Sequence, residues 1–371
     1  MSTTGRTATA DPDDAALLAT LREADVVHLV SHADGDSLAA AGVLANALAP
    51  ASLFQISPVR TAAAADRRIA ASTATTIAIG VDAENTDATL GADSNALAAY
   101  GVATELDDAD PVLALAGAIA AGTIPQGDVV AAATDAGVER RPGVAIPTAD
   151  LADGLAHSTL FHADVSADEQ RAGALLAELE LPAEMDERAH RRVASAVALS
   201  ATEPPAPASA VAGIERALRP HVAPDAPFET VEGFADVMDA LARSDPGLAA
   251  SLVLGHADRT AALDAWREHA STVHRAVRRG KRTRRDGLVV IETNDTDPWS
   301  TARLVRDFRS AEPTVLAIDD EAIALATTED DAVARLESTD AIDAVCGRSR
   351  LASASADVEA DALIADLEGQ Q

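Results

Sequence analysis

The sequence predicts an α/β fold: a parallel-sheet N-terminal domain, a helical connection and a smaller α/β C-terminal domain. Three observations carry this. Short apolar runs at 26–30, 52–59 and 75–81 alternate with Ala-rich stretches of helical length, the pattern of strands covered on both faces by crossover helices. A proline-rich stretch, SATEPPAPAS at 200–209, excludes both helix and sheet interior. Beyond it a second alternation opens with DGLVVIET at 286–293. The expected units are 1–205, a helical connector at 206–285, and 286–371.

In chain order, residues 1–10 are small and polar and are expected to fray. Helices are expected at 13–23, 37–48, 111–122, 168–180 and 185–199, then at 209–218, 230–243 and 258–279. In the last third, strands at 286–293, 313–319 and 322–328 surround a helix at 299–308, and a helix at 356–368 ends the chain. Trp299 opens its helix after Pro298, where it can seal a core.

The chain has 371 residues, 48% of them hydrophobic, which is enough for two or three cores, yet only 2% are aromatic. It shows neither a long apolar window nor a leader, so it reads as cytoplasmic with no membrane partner. One cysteine, Cys346, excludes an internal disulfide and a thiolate metal cluster. The net charge is −31, with Lys281 the only lysine. That balance suits a high-salt cytoplasm, where the Debye length falls to ~3 Å and self-repulsion is screened. The charge therefore does not argue against a nucleic-acid partner.

One stretch concentrates chemistry. In HLVSHADGDSLAAAGVLANAL, residues 28–48, His32, Asp34 and Asp36 fall between an apolar strand and an Ala-rich helix. Ligands of open α/β sheets bind at this edge. Oxygen and imidazole donors at this spacing suit Mn²⁺ or Mg²⁺. The bland alternative is an Asp-rich turn capping the helix at Ser37.

SHADGDSLAAAGVL resembles motif I of the DHH phosphoesterase superfamily, in particular its archaeal RecJ-like branch. IAIGVDAENTD, at 77–87, resembles motif II, with Asp82 ending the strand. The blocks at 141–168 and 228–255, the second containing Arg243, are similar to later blocks of that branch. The resemblance implies that Asp34, Asp36 and Asp82 are catalytic carboxylates, that they hold Mn or Mg together with His32, and that the C-terminal domain is of the DHHA type. It also implies action on single-stranded DNA or RNA.

The departures are specific. None of the nine histidines lies between 32 and 157, so the Asp-His-His motif that names the family is missing. Its place, 101–122, offers Asp107 and Asp108 but no imidazole. The motif IV carboxylate gives way to Ala or Gly. Two-metal hydrolysis needs both ions to hold the attacking and leaving oxygens, so the expectation is a degenerate, catalytically impaired member. Relatives that have lost their ligands act in DNA replication or repair beside GINS-type proteins. The retained ligands keep an active Mn/Mg-dependent 5′ single-strand exonuclease as the alternative.

Two basic features complete the reading. HRAVRRGKRTRRDG, at 274–287, carries Arg275, Arg278, Arg279, Lys281, Arg282, Arg284 and Arg285. These suit a helix C-terminus, the phosphates of a single strand, or an acidic protein. In VCGRSRLASAS, at 345–355, Arg348, Ser349 and Arg350 either grip a phosphate or form an exposed turn. With Arg243, these are the candidate nucleic-acid contacts. His157 and His162 are candidates for core or for substrate contact.

Overall fold

The computed structural model describes residues 12–49, 52–107, 109–329, 331–339, 342, 344–355 and 360–369. The expected N-terminal tail and Asp108 lie outside them. Four strands, β1 (Val26–His32), β2 (Leu53–Val59), β3 (Thr75–Ile79) and β4 (Ala88–Leu90), form a wholly parallel sheet in the order β2-β1-β3-β4. A two-stranded pair, β5 (Glu139–Arg140) and β6 (His221–Val222), lies in the middle of the chain. The last third forms a mixed six-stranded sheet from β7 (Arg282–Arg284), β8 (Leu288–Glu292), β9 (Thr314–Ile318), β10 (Ala322–Thr327), β11 (Cys346–Arg348) and β12 (Leu351–Ser355), in the order β11-β12-β10-β9-β8-β7. Only β8 and β9 pair in parallel there.

The four- and six-stranded sheets are covered on both faces, as the apolar runs require. Val27, Leu29, Ile77 and Ile79 pack on one side of the first sheet with the helices Gly35–Leu48, Asn95–Ala103, Pro111–Ala120 and Val231–Ser244. On its other side Val30, Val59, Ala78 and Val81 meet the helix Ala62–Ala70 and, from the far end of the chain, Cys346. In the second sheet Val289 and Ile291 face one core while Leu288 and Val290 face another, the period-two alternation of a strand. Val193 and Val197, before the prolines, share the first of these cores with Ala210, Ile214, Trp299 and Phe308. The proline stretch thus joins two helices, Glu187–Thr202 and Ser209–Glu215, that pack into one core.

The sequence pattern misses the hairpin of β11 and β12. Its residues, CGR and LASAS, are small and polar, with little of the β-branched content that marks strands. Gly347 is required there: its φ is +143°, and a Cβ would lie 2.5 Å from the Leu351 carbonyl oxygen. Among the described residues, no helix is long and apolar enough to cross a membrane.

Three helices of the first domain approach closely through small residues. A Cβ on Gly117 would lie 2.4 Å from Ala96 Cβ and 2.5 Å from Ala39 Cβ, whereas one on Gly101 would meet nothing within 4 Å. Gly117→Ala is expected to destabilise by about 2 kcal/mol through overpacking. Gly101→Ala is expected to stabilise by about 0.5–1 kcal/mol, because it restricts the unfolded chain at a helical position. Thermal or guanidinium unfolding in concentrated KCl checks both, and equal stability of the two variants contradicts the close approach.

Candidate functional site

The turn after β1 is held by its own carboxylates. Asp34 caps the helix Gly35–Leu48: its Oδ1 accepts from the Ser37 N–H at 2.9 Å, and its Oδ2 from the Ser37 hydroxyl at 3.2 Å. The same Oδ2 lies 2.5 Å from His32 Nδ1. Burial works against ionisation of Asp34. The hydrogen bond from His32, attraction to His32 and Arg348, and the Ser37 N–H outweigh it and hold the carboxyl well below the usual carboxylate range.

Asp36 is fully buried and faces a different helix. Its Oδ1 accepts from the Ser94 hydroxyl at 2.9 Å and the Ala96 N–H at 3.0 Å, and its Oδ2 from the Asn95 N–H at 2.7 Å. These N–H groups open the helix Asn95–Ala103 and lack intrahelical partners. Burial pushes the Asp36 carboxyl up to about 6. Arg348 opposes that rise, the Asp34 charge adds to it, and the two N–H groups oppose it.

The cation beside these carboxylates belongs to the protein. Arg348, on β11, places Nη1 3.8 Å from Asp36 Oδ2 and donates from Nη2 to the Ala120 carbonyl at 3.2 Å. That carbonyl ends the helix Pro111–Ala120, where partial negative charge collects. The Arg348 guanidinium lies 5.7 Å from the Trp299 ring, and that of Arg243 lies 4.2 Å from the same ring. His32 is 5.6 Å from the indole. Arg243 also reaches Asp297 at 3.7 Å, and Asp297 caps the helix Pro298–Phe308 that carries Trp299 in its first turn. Asp239 accepts from the Gly35 N–H at 2.9 Å and so ties the helix Val231–Ser244 to the same turn.

A two-ion metal centre does not fit this donor set. Every carboxylate oxygen of Asp34 and Asp36 accepts hydrogen bonds from the protein, and the Arg348 guanidinium lies 3.8 Å from Asp36. Asp82 is exposed beyond β3 and has no hydrogen bond or ion pair to Asp34 or Asp36 among the described residues. Both Asp34 and Asp82 lie near enough to Cys346 to help burial push its thiol up to about 11. Asp107 is exposed.

The histidine block 141–168 builds two other clusters. Asp153, His157 and Glu169 bring ligand atoms within 4.8 Å of one another. Asp153 is engaged by Arg267, which donates from Nε and Nη2 at 2.9 Å each. The i, i+4 spacing of Asp153 and His157 on one short helix is the sequence signal for this cluster; Glu169 and Arg267 carry none. His162 and His274 are buried, with Nδ1 to Nδ1 at 2.9 Å, and His274 Nε2 is 3.0 Å from the Ser158 carbonyl. A carbonyl only accepts, so Nε2 of His274 carries the proton and its Nδ1 accepts from His162 Nδ1–H. Burial, the largest cause, lowers both histidines, His274 to about 3.

The arginine-rich segment runs from the end of the helix Arg259–Arg279 onto β7, the edge of the second sheet. All seven of its cationic residues are exposed. Lys281 pairs with Glu292 at 2.7 Å, Arg284 with Glu312 at 2.5 Å and Arg285 with Glu368 at 3.5 Å. Arg278 donates to the Ser166 carbonyl. Arg275, Arg279 and Arg282 have no ion pair among the described residues. Arg282 and Arg309 line a cleft of about 250 Å³, and burial followed by the Arg309 charge lowers Arg282. Ser349 and Arg350 are exposed on the β11–β12 turn, whereas Arg243 and Arg348 point into the interior cluster around Trp299.

Residues 280–369 match the family model described as the C-terminal domain of the uncharacterized protein rrnAC1427. The uncharacterized protein rrnAC1427 of Haloarcula marismortui is 47% identical over 333 residues, 88% of each chain. CDC45 from Entamoeba histolytica superposes with a TM-score of 0.55 at 10% identity, over 95% of this chain and 96% of that one. RecJ from Thermus thermophilus in complex with Mg²⁺ gives a TM-score of 0.45 at 14% identity, over 98% of this chain and 53% of that one. The parallel sheet, helical middle and mixed C-terminal sheet match the DHH/DHHA fold.

Asp36→Ala is expected to cost about 3 kcal/mol or more, since it strands two buried N–H groups and the Arg348 charge. Asp82→Ala is expected to stay within about 0.5 kcal/mol of wild type, as an exposed change does. Equal, small effects in unfolding curves contradict the structural role of Asp36. The histidine pair sets a pH dependence. Both groups are lowered from 6.5 on folding, so their contribution is complete above pH 6.5 and is lost as pH falls toward about 3. Wild type should lose up to about 1.4 kcal/mol per pH unit for each proton taken up on unfolding. His274→Gln should flatten that slope in unfolding measured from pH 7 to 4.

Proposed function

The chain belongs to the family of the rrnAC1427 protein, and from the site it carries we propose that it is a non-catalytic DHH-fold protein that binds single-stranded DNA or RNA in replication or repair. The observation that carries this reading is the donor set after β1. Its carboxylates serve helix ends and an internal arginine instead of metal ions. Hydrolysis by two ions needs several open ligand positions facing the scissile phosphate; at this turn the oxygens of Asp34 and Asp36 are engaged, and His32 Nε2 alone of the three side chains is left without a partner among the described residues.

The exposed arginines supply the binding half of the reading. Arg275, Arg279 and Arg282 are exposed and have no ion pair among the described residues, and Arg282 lines a cleft with Arg309. Phosphates of a single strand suit such a row, and the scarcity of aromatic residues argues for contact without base readout. Its bland role is to blunt the edge strand β7 with charge. The fold likeness to CDC45 agrees with a replication-associated role, and a GINS-type partner is part of the same proposal. The alternative, an Mn²⁺- or Mg²⁺-dependent 5′ exonuclease, draws on the retained His32, Asp34, Asp36 and Asp82.

Binding of labelled oligonucleotides across a KCl series tests both readings. Replacing Arg275, Arg279 and Arg282 with Ala should lower the slope of log K against log salt by about 0.7 per lost contact. Arg284→Ala and Arg285→Ala, whose charges are already paired, should change it less. An unchanged slope in the triple variant assigns the arginines to a protein partner or to the strand edge. In the same reactions Mn²⁺ should leave the strand intact. A brisk Mn²⁺-dependent exonuclease that dies in Asp34→Ala establishes the alternative.

A further inference from the structure

We propose that Arg348 is a built-in substitute for the metal ions of the fold: its guanidinium supplies the positive charge at the Asp34–Asp36 turn and latches the C-terminal domain onto it. The proposal deepens the non-catalytic reading above and rests on its turn of internally engaged carboxylates. It does not rest on nucleic-acid binding.

Three observations converge. First, the charge is placed as a cation would be. Arg348 Nη1 sits 3.8 Å from Asp36 Oδ2, within the turn that also holds Asp34. Second, the arginine is fixed from more than one side. Nη2 donates to the Ala120 carbonyl at 3.2 Å, and the guanidinium lies beside the Trp299 indole, near Arg243. Gly347, next in the chain, has a backbone closed to other residues, so the hairpin that presents Arg348 is rigidly shaped. Third, the neighbouring Cys346 is buried among Val30, Val59, Ala62 and Ala78 of the first domain. The same three-residue strand thus delivers an apolar plug against the first sheet and a charge to the turn after β1.

The chemistry is that of exchange. Two carboxylates within one turn repel each other unless a cation lies beside them, and removing one partner of a buried charge pair is strongly destabilising. A guanidinium inside the chain meets that need without deprotonated imidazoles or open coordination positions, which agrees with the missing histidines at 101–122. Occupancy of the turn by Arg348 excludes a divalent ion from the same space.

Mn²⁺ binding, read by loss of the free-ion EPR signal in concentrated KCl, tests this on the full chain. Wild type and Asp34→Asn are expected to bind equally, with weak surface association only. Asparagine caps as well as aspartate, so the second variant should fold. Arg348→Ala is expected to lower the melting temperature, to gain one Mn²⁺ site per chain, and to recover stability as Mn²⁺ is added. Arg348→Ala/Asp34→Asn should lose that site. Arg348→Lys keeps the charge and should gain no site.

Two outcomes overturn the proposal: a wild-type Mn²⁺ site that Asp34→Asn abolishes, or a folded Arg348→Ala that binds no more Mn²⁺ than wild type. Should Arg348→Ala fail to fold, the wild-type comparison with Asp34→Asn and the Arg348→Lys titration still decide it, because either a wild-type site or a gained site in the lysine variant refutes substitution by charge. Oligonucleotide binding on the same samples keeps the readings apart. Its absence in wild type removes the nucleic-acid role and leaves the Arg348 assignment standing.

Discussion

A carboxylate with no access to water governs the architecture. Taking Asp36 out of solvent costs several kcal/mol unless donors and charge surround it. Those groups come from separate parts of the chain: the first turn of the helix Asn95–Ala103 and, from the far end, β11. The turn after β1 is therefore the point where the first sheet, its covering helices and the C-terminal hairpin are brought into one arrangement. Asp239 and Gly35 add a fourth segment to the same junction.

Much of the frame was legible in the residue pattern. The runs at 26–30, 52–59 and 75–81 became three parallel strands, because continuous apolar stretches require cover on both faces. His32, Asp34 and Asp36 stand out in the sequence because polar residues rarely cluster at a strand end without a task. Their partners were not legible. Nothing local to Arg348 points at Asp36; its neighbours suggested an exposed phosphate grip, and only the folding back of β11 turns it inward. Arg243 likewise lies over Trp299, a residue from another element. Short Ala- and Ser-rich strands escaped because their composition gives no β signal, while the long helix at 259–279 was evident from its length and periodicity.

The placement of charge follows from the composition. Positive residues are scarce in an acidic chain, yet several arginines are spent inside it. Arg306 pairs with Asp307 at 2.7 Å, Arg243 lies against Asp297, and Arg303 sits in the field of Asp239, Asp307 and Asp236. Buried pairs are screened far less by salt than exposed ones. In the concentrated salt that the composition suits, interior ion pairs retain their strength while surface pairs such as Lys281–Glu292 fade. The guanidinium is the right group for this, since it stays charged and is weakly hydrated.

The contact of Ala39, Ala96 and Gly117 has a thermodynamic signature of its own. Alanine and glycine have no side-chain rotamers to freeze, so the three helices meet at almost no cost in side-chain entropy. They also remove little apolar area from water per residue, which lowers the gain per contact. A junction of this kind has no adjustable parts: it cannot absorb a change by swinging a side chain, only by moving a backbone. The first domain should accordingly behave as a stiff body with a low heat-capacity increment for its size. Alterations at its helix contacts would then persist only as matched pairs, one residue shrinking where its neighbour grows.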